Sequence, residues 1–184
     1  MTGNSFTRQI TNRNFLSPTG FKFTLNRTPK VSFFGNTANI PSLNLGIANQ
    51  ANYLRDLPIP GEKIDFEDFR LRFLVDENLE NYMEIQNWIR GLGFPDSLQE
   101  IFDLQTESEQ PLNEKSTNIF SDATLVVLTS NFQPNWKVTF KDMWPYSLST
   151  LEFDATQTDV EYFTAEVVFK YSMYEIQDLS GNPL

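Results

Sequence analysis

Residues 20–26, GFKFTLN, set Phe21, Phe23 and Leu25 on one side of an extended chain and Lys22 and Thr24 on the other. Alternation with period two predicts a half-buried strand. KVSFFGNTAN (30–39) reads as a second strand, after a turn at Arg27-Thr28-Pro29. In DFEDFRLRFLV (65–75), Phe69, Leu71, Phe73 and Val75 oppose Arg70 and Arg72. Phe66 is out of phase there, which predicts a bulge near Glu67. ATLVVLTS (123–130) and WKVTFKD (136–142) are two strands joined over Asn131–Asn135, and Trp144-Pro145 forms a corner. SLSTLEFDA (147–155) reads as a further strand. EYFTAEVVFKYSMYEI (161–176) reads as one long strand, with Phe163, Ala165, Val167, Phe169, Tyr171 and Met173 on one face.

The period changes over residues 78–92. Leu79, Tyr82, Ile85, Ile89 and Leu92 recur at helical spacing with Trp88 beside them, opposite Glu80, Glu84 and Asn87. This predicts an amphipathic helix that plugs the barrel, capped by Asp76 or Asn78 and stopped by Gly91 and Gly93 before Pro95. SLQEIFDL (97–104) reads as a short second helix, and residues 105–118 as a polar loop. Residues 40–63 hold Pro41, Pro58, Pro60, Gly46 and Gly61 among scattered apolar residues. A loop or hairpin this long, carrying Leu43, Leu45, Ile47, Tyr53 and Leu54, needs something to cover it. With a loose arm at 1–14 and a polar tail at 177–184, residues 1–184 read as a single domain. Its class is mainly β: an antiparallel β-sandwich or barrel with one flanking α-helix.

Composition narrows the chemistry. The chain has no cysteine and no histidine. Disulfides, thiol chemistry, zinc-thiolate sites and every histidine-based catalytic arrangement are excluded. The apolar runs are too short for a membrane-spanning helix, and the first residues lack the apolar core of a secretory signal. Net charge is −10, unevenly spread. Residues 1–55 hold six basic residues and no acid, whereas 76–114 hold ten acids against Arg90 alone. An acidic chain does not grip phosphate backbones, and the two segments could complement each other between copies.

Asp76, Glu77, Glu80 and Glu84 form the densest acidic cluster. DENLE lacks the spacing and central glycine of a calcium loop, so helix capping and a solvated face account for it better than a metal or a cofactor. A carboxylate-dependent enzyme using Asp76, Glu77 and Glu84 is one alternative. A ligand-binding sandwich using Trp136, Trp144 and Tyr146 as an aromatic platform is another.

Four stretches, in this order and spacing, resemble the tail tube proteins of contractile-tailed bacteriophages. They are PIPGEKIDFEDFRLRFLVDE, the helix NYMEIQNWI, the corner FKDMWPYSLSTLEFDA and the closing strand EYFTAEVVFKYSMYEI. The resemblance implies the tube fold shared with type VI secretion tube proteins, and no enzyme activity, metal or cofactor. It implies homo-hexameric rings stacked into a conduit for DNA, with sheath and baseplate or neck proteins as partners. It further implies a place in the virion tail after assembly in the host cytoplasm. Under it, residues 40–63 become the stacking element, and Asp76, Glu77, Glu80 and Glu84 face the lumen or a neighbouring subunit. A ring that initiates the tube at the baseplate, or terminates it at the neck, is the variant reading.

Overall fold

A computed structural model of the chain describes residues 16, 18–33, 35–106, 119–153, 156 and 162–184. The elements run β1 (Phe21–Leu25), α1 (Pro29–Phe33), β2 (Gly35–Ala38), β3 (Leu43–Gln50), β4 (Leu57–Phe66), β5 (Phe69–Leu74) and α2 (Glu80–Gly93). After these come α3 (Gln99–Thr106), β6 (Ser121–Leu128), β7 (Pro134–Leu148), β8 (Thr164–Lys170) and β9 (Met173–Asp178). Seven strands pair along the path β1-β6-β7-β8-β5-β2, with β9 on the free side of β7. β3 and β4 form a separate two-stranded sheet. Every pairing is antiparallel.

β7 makes the sandwich by serving both layers. Its first part, Trp136–Lys141, pairs with β9 on one edge and β6 on the other, whereas Trp144–Leu148 pairs with β8. The switch falls at Asp142, whose φ is +53. Aspartate tolerates this left-handed conformation better than most residues. Here its amide donates to Asp122 Oδ1 (3.3 Å) and its carboxylate accepts from Ser172 Oγ (2.8 Å). The facing chain breaks in step. Tyr171 and Ser172 separate β8 from β9, and Ser172 N–H donates to the Lys141 carbonyl (3.0 Å). The single long strand expected over 161–176 is therefore two strands in two layers, and Met173 lies outside the core. Of the strand expected at 147–155, only 147–148 are strand, as the end of β7, and residues 154–155 lie outside the described residues.

The core fills the space between the layers. Phe69 lies near its centre, with ring centroids 4.8 Å from Phe140, 5.1 Å from Phe23 and 6.1 Å from Phe169. Leu25, Leu71, Phe73, Val138 and Val167 are buried around it, each from an inward strand position. Each such side chain contributes about 1.5–3 kcal/mol on burial.

Three further differences from the sequence reading concern the helices. The strand expected at 30–39 begins as α1, a single turn with Val31 buried, and only then becomes β2. Ser32 Oγ accepts from the Leu25 amide (2.8 Å) and ties that turn to the end of β1. Two terminal features of α2 also differ. Neither Asp76 nor Asn78 caps it: the N-cap position is Leu79, at φ +60 with no side-chain cap. The helix runs through both glycines and ends at Phe94, at φ +35, whose amide donates to the Arg90 carbonyl (2.6 Å).

The buried face of α2 is Asn81, Ile85, Trp88 and Gly91. Tyr82, Ile89 and Leu92 flank it, half-buried against the core, and Leu79 precedes the helix. Asn81 ties the first turn of the helix to the chain before it. Its amide accepts from Asp76 N–H (3.2 Å) and donates to the Leu74 carbonyl (2.8 Å), fastening α2 to the end of β5. Trp88 Nε1–H donates to the Ile119 carbonyl (3.0 Å), so the largest buried ring has its polar atom satisfied. At the far end β9 extends through Gln177 and Asp178, and Gln177 bridges to Pro183, so the polar tail begins inside a strand. The expected arm at 1–14 and most of the polar loop at 105–118 lie outside the described residues.

Candidate assembly surface

The expected long loop at 40–63 is a β-hairpin. Leu43 pairs with Phe66, Leu45 with Ile64, Ile47 with Pro60, Ala48 with Ile59 and Gln50 with Leu57. Alternation then puts Leu43, Leu45, Ile47, Pro60 and Ile64 on one face. Every residue of β3 is exposed. Ile47 is 77% exposed, and Tyr53 at the tip is 98% exposed. A register shift lies between Leu45 and Ile47, where the two glycines meet. A Cβ on Gly61 would overlap the backbone carbonyl of Gly46, so the strands approach there as only glycine permits. Isolated two-stranded hairpins are marginally stable in water.

The hairpin is nevertheless held firmly at its feet. Phe66 packs edge-on against Tyr171 (6.1 Å) and Tyr174 (5.7 Å). Tyr174 donates its hydroxyl hydrogen to the Pro41 carbonyl (3.0 Å), and Tyr171 donates to the Glu67 carbonyl (2.7 Å). The feet also join each other. Glu67 N–H donates to Ser42 O (3.1 Å), Asn39 Nδ2 to Asp68 O (3.1 Å), and Arg70 N–H to Asn39 Oδ1 (2.6 Å). In place of the bulge expected near Glu67, β4 ends at Phe66 and the chain leaves the two-stranded sheet to enter the body as β5.

Asp68 completes the clamp. Its carboxylate pairs with Lys170 and accepts from the Tyr146 hydroxyl (2.6 Å). Hydrogen bonding to Lys170 first, and to Tyr146 second, holds Asp68 below the usual carboxylate range. The same contacts raise Lys170 and Tyr146, and Lys170 Nζ sits 5.6 Å from the Tyr146 ring centroid. Burial, reinforced by the neighbouring Tyr174 and by acids, raises the Tyr171 phenol strongly, so it stays a hydrogen-bond donor throughout the physiological range. The aromatic trio of the ligand-binding alternative is used structurally. Tyr146 serves the clamp, and Trp136 and Trp144 are half-buried against the core.

The acidic cluster does not converge. Asp76 and Glu77 lie in the turn after β5, whereas Glu80 and Glu84 share a side of α2 facing Lys30 of α1. Lys30 Nζ is 2.8 Å from Glu80 and 3.6 Å from Glu84. The Lys30 hydrogen bond and charge lower Glu80, whereas burial raises Glu84 despite that charge. Arg27 donates to the Leu104 carbonyl (2.6 Å) and lies over the Trp88 ring at 5.3 Å. Two residues of the basic first segment thus meet the acidic segment within one chain, where charge distribution alone suggested a contact between copies. No group of acidic residues that could hold a metal ion occurs among the described residues.

No curated protein matches the chain. Solved structures that share its fold at low identity include three from contractile injection assemblies. A chain of the anti-feeding prophage tube-terminating cap is 14% identical, covers 96% of this chain and 99% of its own, and superposes with a TM-score of 0.61. A chain of the anti-feeding prophage baseplate is 13% identical over 92% of this chain and 99% of its own, at 0.56. A chain of the sheath–tube complex of an extracellular contractile injection system is 15% identical over 97% of this chain and 100% of its own, at 0.55. The family model described as phage tail tube protein matches residues 2–177, and the chain belongs to that family.

Proposed function

We propose that this protein is a tail tube subunit whose copies close into hexameric rings, and that the rings stack through the β3–β4 hairpin into a conduit for DNA. The observation that carries the reading is the hairpin itself. It is an apolar arm exposed along its length yet fixed at both feet, including by Tyr171, Tyr174 and Asp68. An exposed apolar face of this kind marks an interaction site. Structures of the same fold come from a tube-terminating cap, a sixfold-symmetrised baseplate and a sheath–tube complex, which supports the same class of assembly here. Sheath and baseplate or neck proteins are the partners beyond the tube, and the virion tail is its place after assembly in the host cytoplasm. The role is structural rather than enzymatic. The net charge of −10 suits a conduit that DNA crosses without adhering.

The test is assembly of the purified chain, followed by sedimentation and negative stain. Rings or tubes are expected. Replacing residues 44–64 with a short glycine–serine turn leaves both feet in place and should yield a folded body that no longer stacks. Unstacked monomers from the intact chain at every concentration and salt would overturn the reading. Open-ended growth identifies the tube body, and single or paired rings identify an initiator or terminator.

A further inference from the structure

We propose that copies of this chain join by main-chain pairing along the free edge of β3, which takes a strand of a second copy as the third strand of the hairpin sheet. This rests on the reading of the hairpin as the arm that joins copies, and names the edge that does so.

The register fixes which way each backbone group points. Pro58 and Pro60 have no N–H, and they stand opposite Asn49 and Ile47. The ladder bonds there therefore come from the alternate pairs, Ala48 with Ile59 and Gln50 with Leu57. At the feet Glu67 N–H donates to Ser42 O, which puts Asn44 and Asp65 in the bonded set as well. Leu43, Leu45, Ile47 and Asn49 thus turn their N–H and C=O groups to the open side of β3.

The two open edges of the hairpin differ. On β4 the outward groups include those of Pro58, Pro60 and Ile64, so two of these three residues lack a donor, and Glu62, Lys63 and Asp65 lie along the same strand. Prolines and charges are the devices that guard an edge against pairing. β3 has neither: LNLGIANQ is eight residues without a proline or a charge, exposed throughout. The edges of the body are short or taken. Beyond β9, Asp178 N–H donates to Asn182 O and Leu184 N–H to Ile176 O. On β1 the Leu25 amide is held by Ser32 Oγ, and β2 has four residues.

A second copy suits this edge. Identical strands pair without repulsion only where they carry no like charges, a condition β3 meets in a chain of net charge −10. A two-stranded ribbon is marginal alone, and one added strand is the smallest change that makes a stable sheet with an apolar face, here Leu43, Leu45 and Ile47. In such an addition the backbone bonds supply the affinity.

Hydrogen exchange tests the edge, read residue by residue by mass spectrometry on particles assembled from the purified chain alone. Any strand added there belongs to a second copy. The amides of Leu45, Ile47 and Asn49 should exchange at least tenfold more slowly in particles than in the unassembled chain. That of Ile64, on the β4 edge, should change less than threefold. Particles in which the three β3 amides stay fast, or in which Ile64 gains equal protection, would overturn the proposal and leave the tube reading intact. Asn49→Pro removes one outward donor, as Pro58 does opposite it, whereas Asn49→Ala removes only the side chain. The proline variant should need at least tenfold more protein to stack than the alanine variant, with the same circular dichroism. Equal stacking by the two folded variants also overturns the proposal. If the proline variant fails to fold, exchange in the unaltered chain decides. An intact chain that never assembles brings down the tube reading and this one with it.

Discussion

Tyr174 donates its hydroxyl hydrogen to the carbonyl of Pro41, 3.0 Å away and 133 residues earlier in the chain. The bond joins β9, in one layer of the sandwich, to the first foot of the hairpin. Tyr171 does the same for the second foot at Glu67. A net contribution of about 1 kcal/mol each is ordinary for such bonds. The double variant Tyr171→Phe, Tyr174→Phe keeps the rings that pack on Phe66 and loses only the hydroxyls. Two such losses should lower its melting temperature by about 4–8 °C. Amide exchange in residues 40–43 and 66–68 should accelerate about tenfold, measured by mass spectrometry. Unchanged exchange at both feet would show that ring packing alone holds the hairpin.

Gly61 offers a sharper separation of folding from assembly. A Cβ there would overlap the Gly46 carbonyl, and backbone cannot swing aside as a side chain can. Gly61→Ala should spread the hairpin at its register shift while leaving the core untouched. The expected outcome is an unchanged thermal transition, with stacking by sedimentation lost or weakened at least tenfold. Gly46→Ala is the milder partner, since its Cβ would meet the Lys63 carbonyl at 3.4 Å.

Much of this architecture is legible in the sequence, and the failures have physical causes. β1, β5 and β6 each bury one face, so period two appears cleanly in their residues. Residues 161–176 show period two in their apolar residues as far as Met173, but the bend at Tyr171–Ser172 changes the partner strand and shifts the inward phase, so that Tyr174 packs on the core and Met173 is exposed. No local signal marks it; the cause is Asp142 on the neighbouring strand. α2 is recognisable, but its inner face runs from Asn81 through Ile85 and Trp88 to Gly91, and hydropathy scores both of its ends as polar or neutral. The apolar residues of 40–63 flag a surface needing cover, whereas Pro58 and Pro60 argue against a strand. Those prolines are tolerated because β4 has no partner on its other side. The clamp of Asp68, Tyr146 and Lys170 joins residues far apart in the chain, and nothing in the sequence announces it.

Glu84 predicts an unusual pH dependence. Burial raises its carboxyl above the ordinary 4.5, and Oε2 is buried without a hydrogen-bond partner. Lys30 and Glu80 are the charged groups facing it, and Lys30 offsets only part of the burial. A folded value above the unfolded one means that the protonated form favours folding. That contribution is fully present below the unfolded value and lost as pH rises through the folded one. At neutral pH the ionised Glu84 is therefore a cost. Glu84→Gln should stabilise the fold by about 1 kcal/mol at pH 7, and the gain should vanish below about pH 4. Urea unfolding at both values checks it. Equal stability of the two proteins at pH 7 would mean that Lys30 compensates the buried carboxylate fully.

Gly91 and Gly93 sit two residues apart on α2 and should respond to alanine with opposite signs. Both look like helix stops in the sequence, yet the helix includes both. At Gly91 a Cβ would lie 2.9 Å from the Cβ and Cδ2 of Leu104 on α3, closer than side chains tolerate. Leu104 is itself buried, and its carbonyl holds Arg27, so α3 cannot move without disturbing that contact. Gly91→Ala should cost about 1–3 kcal/mol as overpacking. At Gly93 nothing lies within 4 Å of the new Cβ, and φ is not in the left-handed region. Alanine there removes the entropic penalty of a helical glycine and should add about 0.5–1 kcal/mol. Chemical denaturation of the two variants, compared through their midpoints at constant slope, gives the signs directly. Destabilisation by both would mean that the end of α2 depends on glycine at 93 as well, and that Phe94 alone does not set where the helix stops.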